Sequence, residues 1–290
     1  MKKFHIVKES LLAALLTLII TYVVSFIPLK YEFSKAIRQE FLGFDIYDLY
    51  YTGNHLKNTK RDDSIILVEI GVSRSAITDQ VNLIEKYGPS VIGIDAVFDK
   101  EGNPLENAEF VRTIDQYNNI VFGKRYSIDS LTQQPVFIGN FFEKGSRVYP
   151  FGYINFLGNQ FSVIRNYPPF LRTADSLYPS FTSAIIAKFS PGKFEKLKER
   201  KRQAEIINYQ GNIENYNSLT AAQLNYFDST GQLTSLLSGK IVLMGYFVKN
   251  PPLVLEDLHF SPLNEQMAGK SFPDMYGVVI HANILSMIIS

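Results

Sequence analysis

The sequence predicts an α/β fold: an N-terminal transmembrane helix followed by a mixed, largely parallel sheet covered by helices. Three observations carry this. Ser90-Val91-Ile92-Gly93-Ile94-Asp95-Ala96-Val97-Phe98-Asp99, behind Gly88-Pro89, is a short β-branched apolar run and reads as an interior strand. A second run, Ile65-Ile66-Leu67-Val68-Glu69-Ile70, precedes it, and between them Ile77, Val81, Leu83 and Ile84 recur at helical spacing, giving a β-α-β unit. Apolar runs without alternation imply burial on both faces, so these two strands belong centrally in a covered parallel sheet. Third, Ser10 to Leu29 carries no charge and, at about 1.5 Å per helical residue, covers a hydrocarbon core of roughly 30 Å.

Composition sets the bounds. The 290 residues carry 29 basic and 28 acidic side chains, a net charge of +1, which gives no electrostatic argument for nucleic acid. The chain has no cysteine, which excludes disulfides, thiolate zinc sites and a cysteine nucleophile. Its length suffices for one large domain or two small ones.

In chain order, residues 1–9 form a cytoplasmic tail, because Lys2, Lys3 and Lys8 precede the span and the positive-inside rule then places the remainder outside the cytoplasm. Residues 10–29 are the span, and no small-x-small site in Ser25-Phe26-Ile27-Pro28-Leu29 suggests cleavage. Residues 30–60 connect: Phe33, Ile37, Phe41, Phe44, Ile46 and Leu49 suggest an amphipathic helix, and 54–63 a polar loop. The main domain spans 61–283. After the β-α-β unit come a helix marked by Ala108, Val111 and Ile114, a third strand at Ile120 to Lys124, and another centred on Gly152 to Phe156. Tyr167-Pro168-Pro169-Phe170 is extended, since proline restricts its predecessor. Ser180 to Lys188 reads as a helix, Lys193 to Arg202 as a solvated helix face, Ile206 to Tyr209 as a strand, and Lys240 to Tyr246 as a further strand. Pro251 to Phe272 is a long polar loop of the kind that is usually functional. Gly277 to Ile289 is apolar and helical, with 284–290 read as the start of a further membrane-directed helix.

No Gly-rich phosphate loop, Gly-x-Ser-x-Gly elbow, His-Glu-x-x-His pair or Asp-Phe-Gly occurs, so enzymatic activity, a cofactor and a metal are not indicated. Asp95 should emerge at the carboxyl end of its strand, the edge where open α/β sheets bind ligands, with Asp99 nearby; either could instead cap the next turn. The dense polar cluster is Glu256-Asp257-Leu258-His259-Phe260-Ser261-Pro262, followed by His281 and Asn283. In an extended segment Asp257, His259 and Ser261 point the same way, suited to a metal, a small polar ligand, or a network that pins the loop. The ligand candidates are therefore Asp95, Asp99, Asp257, His259, Ser261, His281 and Asn283, with Asp257 and His259 converging on Asp95. An imidazole beside carboxylates favours its charged form, predicting sensitivity to mildly acidic pH. Two function classes follow: a membrane-anchored sensor for an unknown small ligand, and a membrane-anchored metal-dependent hydrolase using Asp95, Asp257 and His259 around a metal or water.

The order of motifs resembles the CHASE2 domain, an extracytoplasmic sensor module of bacterial signalling proteins. The resemblance lies in Phe44-Asp45-Ile46-Tyr47-Asp48-Leu49, Arg74, Gly88 to Phe98, Gly152-Tyr153-Ile154-Asn155, Gly239 to Gly245, Asp257 to Pro262 and Gly277 to Asn283. The first strand departs from it, ending in Glu69-Ile70-Gly71 where the family often has paired aspartates. What the resemblance implies is a sensor held outside the cell by its N-terminal span, usually followed by further spans and sometimes by a cyclase, kinase or phosphatase output. Its implied partners are the membrane, a small ligand and a signalling output domain or partner protein, and a homodimer is compatible with it. No such output is read in this chain.

Overall fold

The computed structural model describes residues 2–25, 61–144, 148–158, 162–173, 175–248, 257–264 and 272–290. They fall into two compact units that divide between Phe44 and Asp45. In the first, helix α1 covers Lys2–Ser25. Leu11, Leu12, Leu15, Leu16, Leu18, Ile19, Ile20 and Tyr22 are all at least half exposed on it. Among the described residues no helix is long and apolar enough to cross a membrane, and residues 26–29 of the expected span lie outside them. The expected amphipathic helix of 31–51 and most of the loop at 54–63 also lie outside the described residues.

The second unit is built on a six-stranded sheet in which every neighbouring pair is parallel. Its strands are β1 (Asp62–Glu69), β2 (Val91–Ile94), β3 (Ile120–Lys124), β6 (Phe151–Tyr153), β11 (Tyr216–Leu219) and β12 (Ile241–Gly245). The spatial order is β11-β1-β12-β2-β3-β6, so the last strand in sequence slots between the first two. In register, Ile66 pairs Val242 and Val242 pairs Ile92, while Val68 pairs Met244 and Met244 pairs Ile94. Small antiparallel pairs decorate this frame: β4 (Tyr126–Ile128) with β5 (Pro135–Phe137), β7 (Asn166–Tyr167) with β10 (Glu205–Ile206), β8 (Phe170–Arg172) with β9 (Leu177–Pro179), and β13 (Leu258–His259) with β14 (Met275–Tyr276).

Parallel neighbours need crossovers, and helices α2, α3, α4 and α6 begin where a side chain caps them. Helix α2 (Arg74–Glu85) starts at Ser73, whose hydroxyl accepts from the Ala76 amide, and α3 (Pro104–Ile114) follows Asn103 with proline in its first turn. Helix α4 (Phe181–Phe189) is capped by Ser180 and continues after Ser190 into α5 (Pro191–Glu199). Helix α6 (Ala221–Ser229) has a full capping box from Thr220 and Gln223, and α7 (Leu233–Leu237) precedes β12. Helix α8 (Gly277–Ile289) closes the described chain.

The period-2 alternation of the strands divides the core in two. Ile65, Leu67, Val91, Val121, Ile241 and Leu243 pack on one face with Phe181 and Ile185 of α4 and Val279 and Ile280 of α8. Ile66, Val68, Ile92, Ile94, Val242 and Met244 pack on the other with Ile77 and Val81 of α2, Phe110 of α3, and Leu224, Leu233 and Leu237 of α6 and α7. Close approach is set at Gly152, where a Cβ would fall 2.5 Å from the Phe181 Cα and from the Ser180 oxygen. A side chain there would push α4 off β6.

Several expectations need adjustment. Strand β2 ends at Ile94 and leaves Asp95 to Asp99 beyond the sheet, and β6 ends at Tyr153 rather than running on to Phe156. Of the expected 206–209 strand only Ile206 is regular, paired in β10 (Glu205–Ile206). Strand β11, helices α6 and α7 and the small hairpins are additions. Helix 277–289 is as expected, but Gly277 to Ser286 are buried against the sheet, and Lys193 of α5 donates to the carbonyls of Ile288 and Ile289 at its end.

Ile94 is fully buried at the centre of the sheet, whereas Val72 is fully exposed. Ile94→Asp buries an unpaired carboxylate and should lower unfolding stability by about 4 kcal/mol or more, while Val72→Asp should change it by less than about 0.5 kcal/mol. Urea unfolding of both variants checks this.

Candidate functional site

Because all six strands run the same way, their carboxyl ends share one edge. Ile70 follows β1, Tyr246 follows β12, Asp95 follows β2, Arg125 follows β3 and Ile154 to Phe156 follow β6. All of them line one cavity of about 940 Å³, at the upper end of the range usual for small-molecule sites. The ladder runs one residue past the strands and fixes these positions: the Asp95 amide donates to Met244 (2.8 Å), Ile70 to Gly245 (3.0 Å) and Ile154 to Lys124 (2.9 Å). Alternation at the end of β3 sends Lys124 to Glu143 (2.7 Å) and leaves the next residue, Arg125, on the cavity.

The cavity also lies at a topological switch. After β12 the chain turns to α8 on one face, while after β1 and β2 it turns to α2 and α3 on the other. Diverging crossovers open a crevice at the carboxyl edge. Gly245 lets α8 close over it, since a Cβ there would sit 2.7 Å from the Val278 Cβ and 3.4 Å from that of Asp95.

Asp257 and His259 arrive from β13 and its preceding turn, and Gly277, Val278 and His281 from α8, to complete the lining. The turn is fixed by the Gly277 amide, which donates to the Asp257 carbonyl (3.1 Å), with Asp257 at φ +64°. Left-handed backbone is uncommon outside glycine, and aspartate is among the residues that tolerate it. His259 holds the loop through its backbone, its carbonyl accepting from Asp274 (3.0 Å); its ring makes no hydrogen bond among the described residues and lies edge-on to Phe156 at 5.0 Å. The Phe156 ring also meets His281 at 4.7 Å, and Phe181 meets it at 5.1 Å from the other side. His281 is 4% exposed, and its Nδ1 has no hydrogen-bond partner.

Thus Asp95, Asp257, His259 and His281 are brought together and the other three candidates are not. Asp99 is exposed beside a separate shallow hollow with Glu101 and Glu143. Ser261 is turned away: strand β13 ends at His259, and the Ser261 hydroxyl donates to Asp274 (2.5 Å) while accepting from the Leu263 amide (3.1 Å). Asn283 is fully buried and pins a loop, accepting from the Gln210 amide (2.7 Å) and donating to the Gly211 and Val279 carbonyls (2.9 Å each). Both satisfy backbone. Arg125, Tyr246 and Phe156 line the cavity without having been anticipated. Arg125 had a readable signal, the end of the third strand. Among the described residues no three His, Asp or Glu side chains are placed to hold a metal ion, so Asp95, Asp257 and His259 do not form the cage the hydrolase reading needs.

The electrostatics correct the expected site of pH sensitivity. Burial lowers the His259 pKa despite the opposing pull of Asp257, and burial together with His259 lowers His281 to about 3, so both rings are neutral at neutral pH. Asp95 moves up to about 7: its surroundings desolvate it, Asp257 repels its charge, and the attraction of Arg125 is the smallest of the three influences. Asp95 is half-buried, open to the cavity on one side, and its surroundings are deep enough for desolvation to dominate.

These shifts have opposite signs in stability. The native state holds the Asp95 proton more tightly than the unfolded chain, so the contribution of Asp95 is greatest below about pH 4 and declines as pH rises to about 7. Native His281 resists protonation, so its contribution is complete above about pH 6.5 and declines as pH falls toward 3. Relative to the unsubstituted chain, Asp95→Asn should therefore gain stability steadily from pH 4 to 7, and His281→Gln should gain as pH drops below 6.5. Thermal unfolding across that range checks both slopes.

A family model for the CHASE2 domain matches residues 34–290. Comparisons with curated proteins and with solved structures give no match. A match over most of the chain shows the family: the protein belongs to the CHASE2 domain family, the extracellular sensor domains of signalling proteins.

Proposed function

We propose that this chain is the membrane-anchored, extracytoplasmic sensing part of a signalling protein, that its cavity takes a small polar ligand, and that it carries no catalytic output of its own. The observation that carries the reading is the set of polar side chains at the carboxyl edge. Asp95, Asp257 and the rings of His259 and His281 share one cavity, yet none of these side chains hydrogen-bonds a described protein group. Polar side chains that serve the fold are satisfied by it, as Ser261 and Asn283 are.

Membrane anchoring through residues 10–29 is supported by the character of α1. Its apolar side chains are exposed, and its threonines return their hydroxyls to the helix backbone, Thr17 to Ala13 and Thr21 to Thr17 at 2.8 Å each. That arrangement leaves few polar groups needing water. The lysines before Ser10 favour a cytoplasmic N-terminus with the domain outside.

Signalling requires the ligand to prefer one of two arrangements. Helix α8 is suited to report it, because Gly277, Val278 and His281 line the cavity while the rest of the helix packs along the sheet. A ligand that changes those contacts acts on the whole helix, and from there on an output domain or partner protein.

Two measurements test the reading. Gly277→Leu places a bulky side chain beside His259 and Phe156, where the added Cβ itself meets only ordinary contacts at 3.5 Å. Native mass spectrometry after exposure to a low-molecular-weight cell extract should show a bound small molecule on the unsubstituted protein and none on this variant. No adduct on either, or equal adducts on both, contradicts the cavity as the ligand site. Protease added to intact cells should remove the domain, and full protection of it would reverse the topology.

A further inference from the structure

We infer that the cavity is built for a small organic zwitterion, an amino-acid-like molecule whose ammonium group is held between Asp95 and Asp257 and whose anionic group reaches Arg125. This rests on the cavity being a ligand site and specifies its chemistry.

The acidic pole calls for a cation. Two carboxylates line one cavity, and neither accepts a hydrogen bond from a described protein group. Asp95 therefore lacks the partner that a desolvated carboxylate needs, and the exposed Asp257 adds a second acceptor on the same cavity. Arg125 does not supply it: its guanidinium forms no ion pair with either aspartate among the described residues, and its pull on Asp95 is outweighed by burial and by Asp257. A metal ion is a poor fit, because among the described residues no three His, Asp or Glu donors are grouped for one. An ammonium group asks less of geometry, since its three N–H donors need only acceptors, which two carboxylates provide. The Phe156 ring, in contact with both His259 and His281, is a further aromatic group in the lining.

The neutral imidazoles sharpen the choice. With His259 and His281 uncharged, Arg125 is the one cationic side chain among the lining residues, so an anion alone would meet the repulsion of Asp257 and, as pH rises through about 7, of Asp95 as well, against one attraction. A zwitterion places each of its charges against the opposite one. His281, a lining residue, also carries a buried Nδ1 with no hydrogen-bond partner.

The test uses the full chain in detergent and isothermal titration with ω-amino acids from glycine to 6-aminohexanoate, each compared with the n-alkylamine and the alkanoate of matching length. At least one ω-amino acid should bind ten-fold or more tightly than both of its single-charge analogues. Arg125→Ala should bring that zwitterion down to the affinity of the alkylamine, whose own binding stays unchanged, and Asp95→Asn should weaken both by ten-fold or more. Tighter binding of the alkanoate, binding of calcium, magnesium or zinc chloride in place of the amines, or an Asp95→Asn variant that binds as before overturns the zwitterion. If such an anion or metal is lost in Gly277→Leu, the cavity remains a ligand site of another class. If neither these probes nor the cell extract bind, both readings fall.

Discussion

The insertion of β12 between β1 and β2 is the constraint on which the rest of this structure depends. A parallel sheet buried on both faces needs a crossover at every strand, and here the exit of β12 leaves on one face while those of its neighbours β1 and β2 leave on the other. The last segment helps to close the gap at that edge. Residues 257–259 and the first turns of α8 do so, tied together by β13, β14 and the Gly277 to Asp257 hydrogen bond. The same placement buries α8 on the sheet and aligns its opening residues with Asp95.

Around that edge, charge is arranged against solvation rather than with it. In an ordinary structural role a carboxylate as deep as Asp95 would receive amide or hydroxyl donors, as Asp274 does from Ser261 and Asn264. Asp95 instead shares its cavity with Asp257, Arg125 and two neutral imidazoles. Desolvation is the larger influence on every one of the shifted cavity groups, which is why the imidazoles lose their protons and the aspartate keeps one. A site in this condition is costly to the empty protein and is relieved by a ligand that brings the missing charge, which is what population shift in a sensor requires.

Much of the frame was legible in the sequence, for a physical reason. Strands buried on both faces cannot alternate, so Ile65 to Ile70, Val91 to Ile94 and Ile241 to Gly245 stand out as unbroken apolar runs, and Asp95 follows directly at the ligand-binding edge. Strand β11 gave no such signal, because Tyr216-Asn217-Ser218-Leu219 is an edge strand with polar residues; the Thr220 to Gln223 capping box just after it was the readable mark. At the site, residue type and spacing could not separate Asp257 and His259 from Ser261, since a polar residue beside a turn serves backbone as readily as ligand. Only the end of β13 at His259 decides it. The direction of the histidine shifts was equally hidden: neighbouring carboxylates are visible in sequence, and the desolvation that outweighs them is not.

The central claim is that the fold holds Asp95 unsatisfied at the cavity, and its own titration tests that most directly. With carboxyl-13C-labelled aspartate and assignment by Asp95→Asn, the Asp95 resonance should titrate near pH 7 in the ligand-free protein. A midpoint near the ordinary carboxylate value of about 4 would mean that water or protein donors already satisfy it, contradicting a site held open for a ligand charge.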